Sequence, residues 1–141
     1  MQIQKILSQA TFELEKNKIE TPRLDAEILL AFVLNCNRLK LYTEAEKILS
    51  LDEVKKFQDL ISQRAKKIPI AYLTGSKEFF GLNFFVNESV LIPRPDTEIL
   101  TQLAIENLGG DKIFADIGTG SGAIAISVCK FVKNSVGFAV D

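Results

Sequence analysis

The 141-residue chain has no histidine, and this removes Ser/His and Cys/His nucleophile pairs together with every imidazole metal site. Cysteine is nearly as scarce. Cys36 and Cys129 stand far apart inside apolar segments, so they are expected to be buried free thiols of a reducing compartment. A net charge of −1 gives no global attraction toward phosphate backbones, and no local basic patch replaces it, so no direct nucleic-acid partner is expected. Long apolar runs are also missing: none reaches the roughly 18 residues of a spanning helix. The opening MQIQKILSQATFELEKNK puts polar and acidic residues where a signal peptide needs an unbroken apolar core. The expectation is a cytoplasmic protein with no membrane partner, whose chemistry relies on carboxylates, backbone groups or a cofactor.

What is present is the apolar and charged balance of a soluble globular protein. Up to about Ile68 the apolar residues recur at helical spacing, first as Ile3, Ile6, Leu7, Ala10 and Leu14, then as Leu24, Ile28, Ala31 and Phe32. This half reads as a helical bundle. Thr21-Pro22 supplies an N-cap with proline at the first helical position, and Ser50-Leu51-Asp52-Glu53 fits a capping box. The last long helix is expected over Leu51–Lys67, with Lys66-Lys67 favoured at its end by the helix dipole.

The segment YLTGSKEFFGLNFFVNESVLI then gathers aromatic and β-branched residues around Gly75, Gly81 and Asn83, which predicts a β-hairpin. Phe79, Phe80, Phe84 and Phe85 read as a hydrophobic seam between domains, or else as a stacking surface for a ligand. In LIPRPDTEIL, Pro93 and Pro95 hold Ile92 and Arg94 in a stiff, extended approach to a helix. That helix is expected to be capped by Asp96, to run to about Asn107 and to stop at Gly109-Gly110. KIFADIGTGSGAIAISVCKFVKNSVGFAVD follows as strand, glycine turn, apolar helix and second strand, a βαβ unit whose crossover should be right-handed.

Gly118, Gly120 and Gly122 lie between the end of the first strand and the start of the helix, where glycines let the backbone turn sharply and approach a ligand closely. A merely tight turn would need only one or two. The run Gly118-Thr119-Gly120-Ser121-Gly122-Ala123 also satisfies G-x-G-x-x-A, the dinucleotide fingerprint, and Asp141 could hold a ribose diol under either reading. Asp116 discriminates, because its carboxylate stands where a pyrophosphate would meet negative charge. S-adenosyl-L-methionine carries an ammonium and a sulfonium instead, which an acid beside the turn suits. The resulting D-x-G-x-G-x-G resembles the first motif of the class I methyltransferases.

IPIAYLTGSKEFFGLNFFV, VLIPRPDTEIL, ADIGTGSGAIAI and AVD together resemble the bacterial release-factor glutamine methyltransferases, the HemK-type protein-(glutamine-N5) methyltransferases. TPRLDAEILLAFVL extends the resemblance into the helical half. Pro95-Asp96-Thr97-Glu98 favours the release-factor enzymes over the sister enzymes that modify a ribosomal protein. The resemblance implies an α/β architecture: a helical substrate-recognition domain (1–72), a β-hairpin connector (73–92) and the first part of a class I, Rossmann-like methyltransferase domain (93–141). It implies methyl transfer from S-adenosyl-L-methionine to the glutamine side-chain nitrogen in the Gly-Gly-Gln motif of peptide chain release factors. Cofactor contacts are implied at Gly118, Thr119, Gly120, Ser121 and Gly122, with Asp141 on the ribose and Asp116 near the methionine end. Residues 93–96 would form a fixed wall of that site, or alternatively set the angle between domains.

The family's catalytic Asn-Pro-Pro-Tyr motif does not occur up to Asp141. Most of the sheet that would bury Ile124, Ile126 and Val128 is likewise missing, so the residues are expected to be the N-terminal part of a longer enzyme, a monomer when full length, and activity is not expected of them alone. Two other readings remain at this point. An NAD-dependent oxidoreductase would bind NADH in preference to S-adenosyl-L-methionine, and a non-catalytic release-factor-binding module would recruit the factor through residues 1–90 without methylating it.

Overall fold

A computed structural model describes residues 1–109 and 112–141. The chain is α/β, with seven helices and two two-stranded sheets among the described residues, and it divides into two compact units, Met1–Thr74 and Gly75–Asp141.

The first unit is helical. In α1 (Ile3–Lys16) the residues at helical spacing, Ile3, Ile6, Leu7, Ala10 and Leu14, are all buried, as their period predicts. They meet Leu29, Leu30, Phe57 and Ile61 in one core. A fully buried Leu or Phe contributes about 1.5–3 kcal/mol, so this cluster is what holds the unit together. Helix α4 (Leu51–Ala65) starts with the expected capping box: Ser50 Oγ accepts from Glu53 N at 3.2 Å, and Ser50 N donates to Glu53 Oε2 at 2.7 Å. It ends two residues short of Lys67, which adopts φ 68° and so breaks the helical backbone.

Helix α2 (Pro22–Val33) departs from its predicted face. Of the expected set only Ala31 is buried; Leu24 and Phe32 are exposed and Ile28 is half-buried. The buried face carries Asp25 and Glu27 beside Ala26, Leu29 and Leu30, and each acid is paid for by named donors. Asp25 Oδ1 accepts from Thr21 Oγ1 at 2.8 Å and Oδ2 from Arg64 Nε at 2.7 Å. Glu27 Oε1 accepts from Arg23 Nε at 2.6 Å and from the Tyr42 hydroxyl, while Oε2 accepts from Arg38 Nη2 at 2.7 Å. These bonds tie α2 to α3 (Arg38–Thr43) and α4. Burial raises the proton affinity of Glu27, but the hydrogen bonds from Tyr42, Arg38 and Arg23 outweigh it and hold the carboxyl below its ordinary range. Thr21 does not cap the helix with its side chain, because its hydroxyl is committed to Asp25.

A short helix, α5 (Ile70–Thr74), occupies the beginning of the segment predicted as hairpin. In the second unit the strands are confined to β1 (Ser76–Phe79) and β2 (Leu82–Phe85), antiparallel and joined by Phe80-Gly81, both at positive φ. Phe79 and Phe84 are buried and meet edge to face at 6.1 Å, Phe80 meets Phe131 at 5.4 Å, and Phe85 is exposed. The four rings therefore do not form one stacking surface.

Helix α6 (Pro95–Leu108) has Arg94 rather than Asp96 at its N-cap, without a side-chain cap bond, because Pro95, with no N–H to satisfy, takes the first helical position and draws the start two residues earlier. Gly109 follows as its C-cap; Gly110 lies outside the described residues. Strands β3 (Ile113–Ile117) and β4 (Val136–Val140) run parallel in the register Ile117↔Val140, joined through α7 (Ala123–Phe131). On α7, Ile126 is exposed and Ile124 half-buried, as expected of an incomplete sheet, but Val128 is buried. Cys36 is only partly buried and Cys129 is exposed, against the expectation of two buried thiols, because Cys129 falls on the outer face of α7.

Candidate functional site

The turn between β3 and α7 brings Asp116, Gly118, Thr119, Gly120, Ser121, Gly122 and Asp141 together, since parallel pairing of β3 with β4 sets the ends of both strands side by side. Gly118, Gly120 and Gly122 take φ of 77°, 53° and 76°, a region open to glycine and costly for other residues. A Cβ on Gly118 or Gly120 would meet nothing within 4 Å, whereas one on Gly122 would sit 3.1 Å from Ile126 Cδ1. The first two thus leave open space for a ligand, and the third lets the helix start close against the turn.

Most of the turn's amides are already committed. Gly118 N and Thr119 N both donate to Val140 O, at 2.8 and 3.1 Å, Gly122 N donates to Thr119 O at 2.9 Å, and Gly120 N to Asp141 Oδ1 at 3.3 Å. Among the described residues, Ser121 keeps the one turn amide from 118 to 122 without an acceptor. Asp116 Oδ2 accepts from Thr119 Oγ1 at 2.8 Å and from Ala125 N at 3.2 Å, so this carboxylate braces both the turn and the first turn of α7. Its other oxygen, Oδ1, has no donor among the described residues. Nothing in the spacing alone announced the Thr119 contact, although a hydroxyl three residues after an acid is a common local bond.

Opposite the turn lies the stiff connector. Leu91, Ile92, Pro93, Arg94 and Thr97 form one wall of a cleft of about 220 Å³, and Gly118–Ser121 with Ala123 and Ile124 form the other. Leu91, Ile92 and Thr97 were not foreseen as lining residues; the Pro93-Arg94-Pro95 run was the signal that pointed near them. The open cradle over Gly118 and Gly120, the flanking carboxylates and the near absence of free amides suit a compact cationic ligand and would serve a pyrophosphate poorly, which needs several free N–H groups. No group of three or more His, Cys, Asp or Glu that could hold a metal occurs among the described residues.

Comparison with known proteins bears on the same residues. Residues 5–75 match the family described as PrmC N-terminal domain. A release factor glutamine methyltransferase of Nitratidesulfovibrio vulgaris is 41% identical over 140 residues, covering 99% of this chain and 48% of that protein. One of Shewanella oneidensis is 46% identical over 110 residues, covering 77% of the chain and 38% of its own length, and one of Koribacter versatilis is 38% identical over 143 residues, covering 100% and 51%. The chain spans about half the length, or less, of these curated relatives. With the domain match over half of its residues and these similarities across the rest, the chain belongs to the release factor glutamine methyltransferase family, in which it represents the N-terminal portion.

Proposed function

We propose that the chain is the N-terminal part of an S-adenosyl-L-methionine-dependent enzyme that methylates the glutamine side-chain nitrogen in the Gly-Gly-Gln motif of release factors. In this reading residues 93–141 begin a class I, Rossmann-like methyltransferase domain. The observation that carries it is the turn at Gly118–Gly122, whose open glycines and committed amides favour a sulfonium donor over a dinucleotide.

Gly118–Gly122 would hold the donor along their backbone, Asp116 Oδ1 would face its ammonium end, and Asp141 Oδ2, left over from its bond to Gly120, would take a ribose hydroxyl. The cofactor supplies an activated methyl group. Leu91 to Arg94 would narrow the cleft and keep water from it, with the two prolines fixing that wall. An amide nitrogen is a weak nucleophile because its lone pair is delocalised into the carbonyl. Catalysis must then come from alignment and from acceptors that stabilise charge developing on nitrogen, so no imidazole is required. Those acceptors are assigned to the family's Asn-Pro-Pro-Tyr motif, outside these residues.

Two measurements on the full-length protein test the proposal. Calorimetric titration should give binding of S-adenosyl-L-methionine and none of NADH. Incubation with a bacterial release factor and methyl-labelled donor should place label on the Gly-Gly-Gln glutamine. Replacing Gly120 by valine, whose backbone strain is about 1–2 kcal/mol, should weaken donor binding by at least about tenfold. NADH binding without donor binding would overturn the assignment.

A further inference from the structure

The hairpin offers a second surface beside the same turn. The register pairs Phe79 with Leu82 and Lys77 with Phe84, and Val86 N bonds Gly75 O at 3.1 Å. Since hydrogen-bonded and non-bonded pairs alternate along an antiparallel ladder, Asn83 and Phe85 direct their N–H and C=O groups away from β1. Among the described residues none of these four groups has a partner. All four residues of β2 line a groove of about 640 Å³, faced by Gly120, Ser121, Ile126 and Lys130. Successive side chains of a strand point to opposite faces, so a groove touched by four in a row follows the strand's edge. The edge is held rigid: Phe80 N donates to Glu98 Oε1 at 3.0 Å, and the Phe80 ring rests on Phe131.

We infer that the open edge of β2 pairs with an extended segment of the protein substrate, which adds a third strand and is led toward Gly120 and Ser121. This rests on the reading above, in which the acceptor is an amide on a polypeptide. Among the described residues Lys130 is the only charged one facing the groove, so the segment should lack basic side chains, and the exposed Phe85 ring leaves room for small ones. Strand addition gives affinity through main-chain bonds, and the side pockets then select sequence. Exposed edges invite such pairing unless they are covered.

The test is amide hydrogen exchange on the full-length protein, with and without a short synthetic peptide carrying Gly-Gly-Gln between small residues. Peptide should slow exchange at Asn83 and Phe85. Asn83→Pro removes an outward N–H that the hairpin does not use, whereas Asn83→Ala keeps it. Measured against the alanine variant, which shares the loss of the side chain, the proline variant should have a KM for the peptide between about two- and tenfold higher, for one lost hydrogen bond, with the same kcat. Methylation of the peptide without slowed exchange would sink the strand-addition idea and leave the enzyme assignment standing. Slowed exchange without methylation would do the reverse. If both amides are already protected before peptide is added, another segment covers the edge and the inference fails.

Discussion

Glu27 and Asp25 show how much of the helical unit depends on single residues. Arg64 is 18% exposed and its partner Asp25 6%, so Arg64→Ala leaves a buried carboxylate with Thr21 Oγ1 as its one remaining side-chain donor among the described residues. Losing one partner of a buried pair costs about 3–5 kcal/mol, and urea unfolding should show a midpoint lowered accordingly. Glu27 adds a pH dependence. Its folded-state proton affinity lies below the unfolded value, so its contribution is complete above about pH 4.3 and is lost as pH falls through the lower folded-state pKa. The destabilisation caused by Glu27→Gln should therefore shrink between neutral pH and about pH 3, as checked by denaturant unfolding at both. These residues also explain why the buried face of α2 differs from the one its apolar period predicts. Apolar period locates a buried face only when that face is apolar, and here the chain buries two acids whose donors, Arg38, Tyr42 and Arg64, come from elsewhere in the chain.

Elements governed by local rules were legible. Helix α1 follows its apolar spacing residue by residue, and α4 starts where Ser50 and Glu53 said it would. Ser50→Ala should cost about 1 kcal/mol, since it strands an amide at the helix start, and a thermal melt would register it. The βαβ order at the end of the chain was equally clear, because its two strands are short apolar runs bounded by a glycine turn and Lys133-Asn134. Less legible were the ends of elements. Pro95 displaced the expected cap at Asp96, and Tyr72–Thr74 closed a helical turn where a strand was predicted, because Pro69 starts a helix as readily as it borders a strand. At Gly137 a Cβ would stand 2.5 Å from Phe114 Cζ, so Gly137→Ala must push the half-buried Phe114 ring aside and should lower the melting temperature slightly.

For the whole molecule, Ile113, Ile117, Val136 and Phe138 are exposed apolar residues on a two-stranded sheet, and relatives are about twice the length of this chain. Apolar patches of this kind mark surfaces that other structure normally covers. Residues 1–141 expressed alone should self-associate, with sedimentation shifting toward larger species as concentration rises, and the full-length protein should not. The candidate site was visible in sequence as a set of residues. Its shape was not, because three of the four committed amides of the turn answer to partners some twenty residues away, and only the folded pairing reveals them.

One carbonyl has a consequence for synthesis. Val140 O receives both Gly118 N and Thr119 N, so the glycine turn takes its form only once β4 lies beside β3. On the ribosome, the residues proposed to grip the donor emerge well before the one that shapes them. Until Val140 has cleared the exit tunnel the nascent chain carries the motif without its form, and a photoreactive donor analogue should label stalled nascent chains only when they are long enough to have released it.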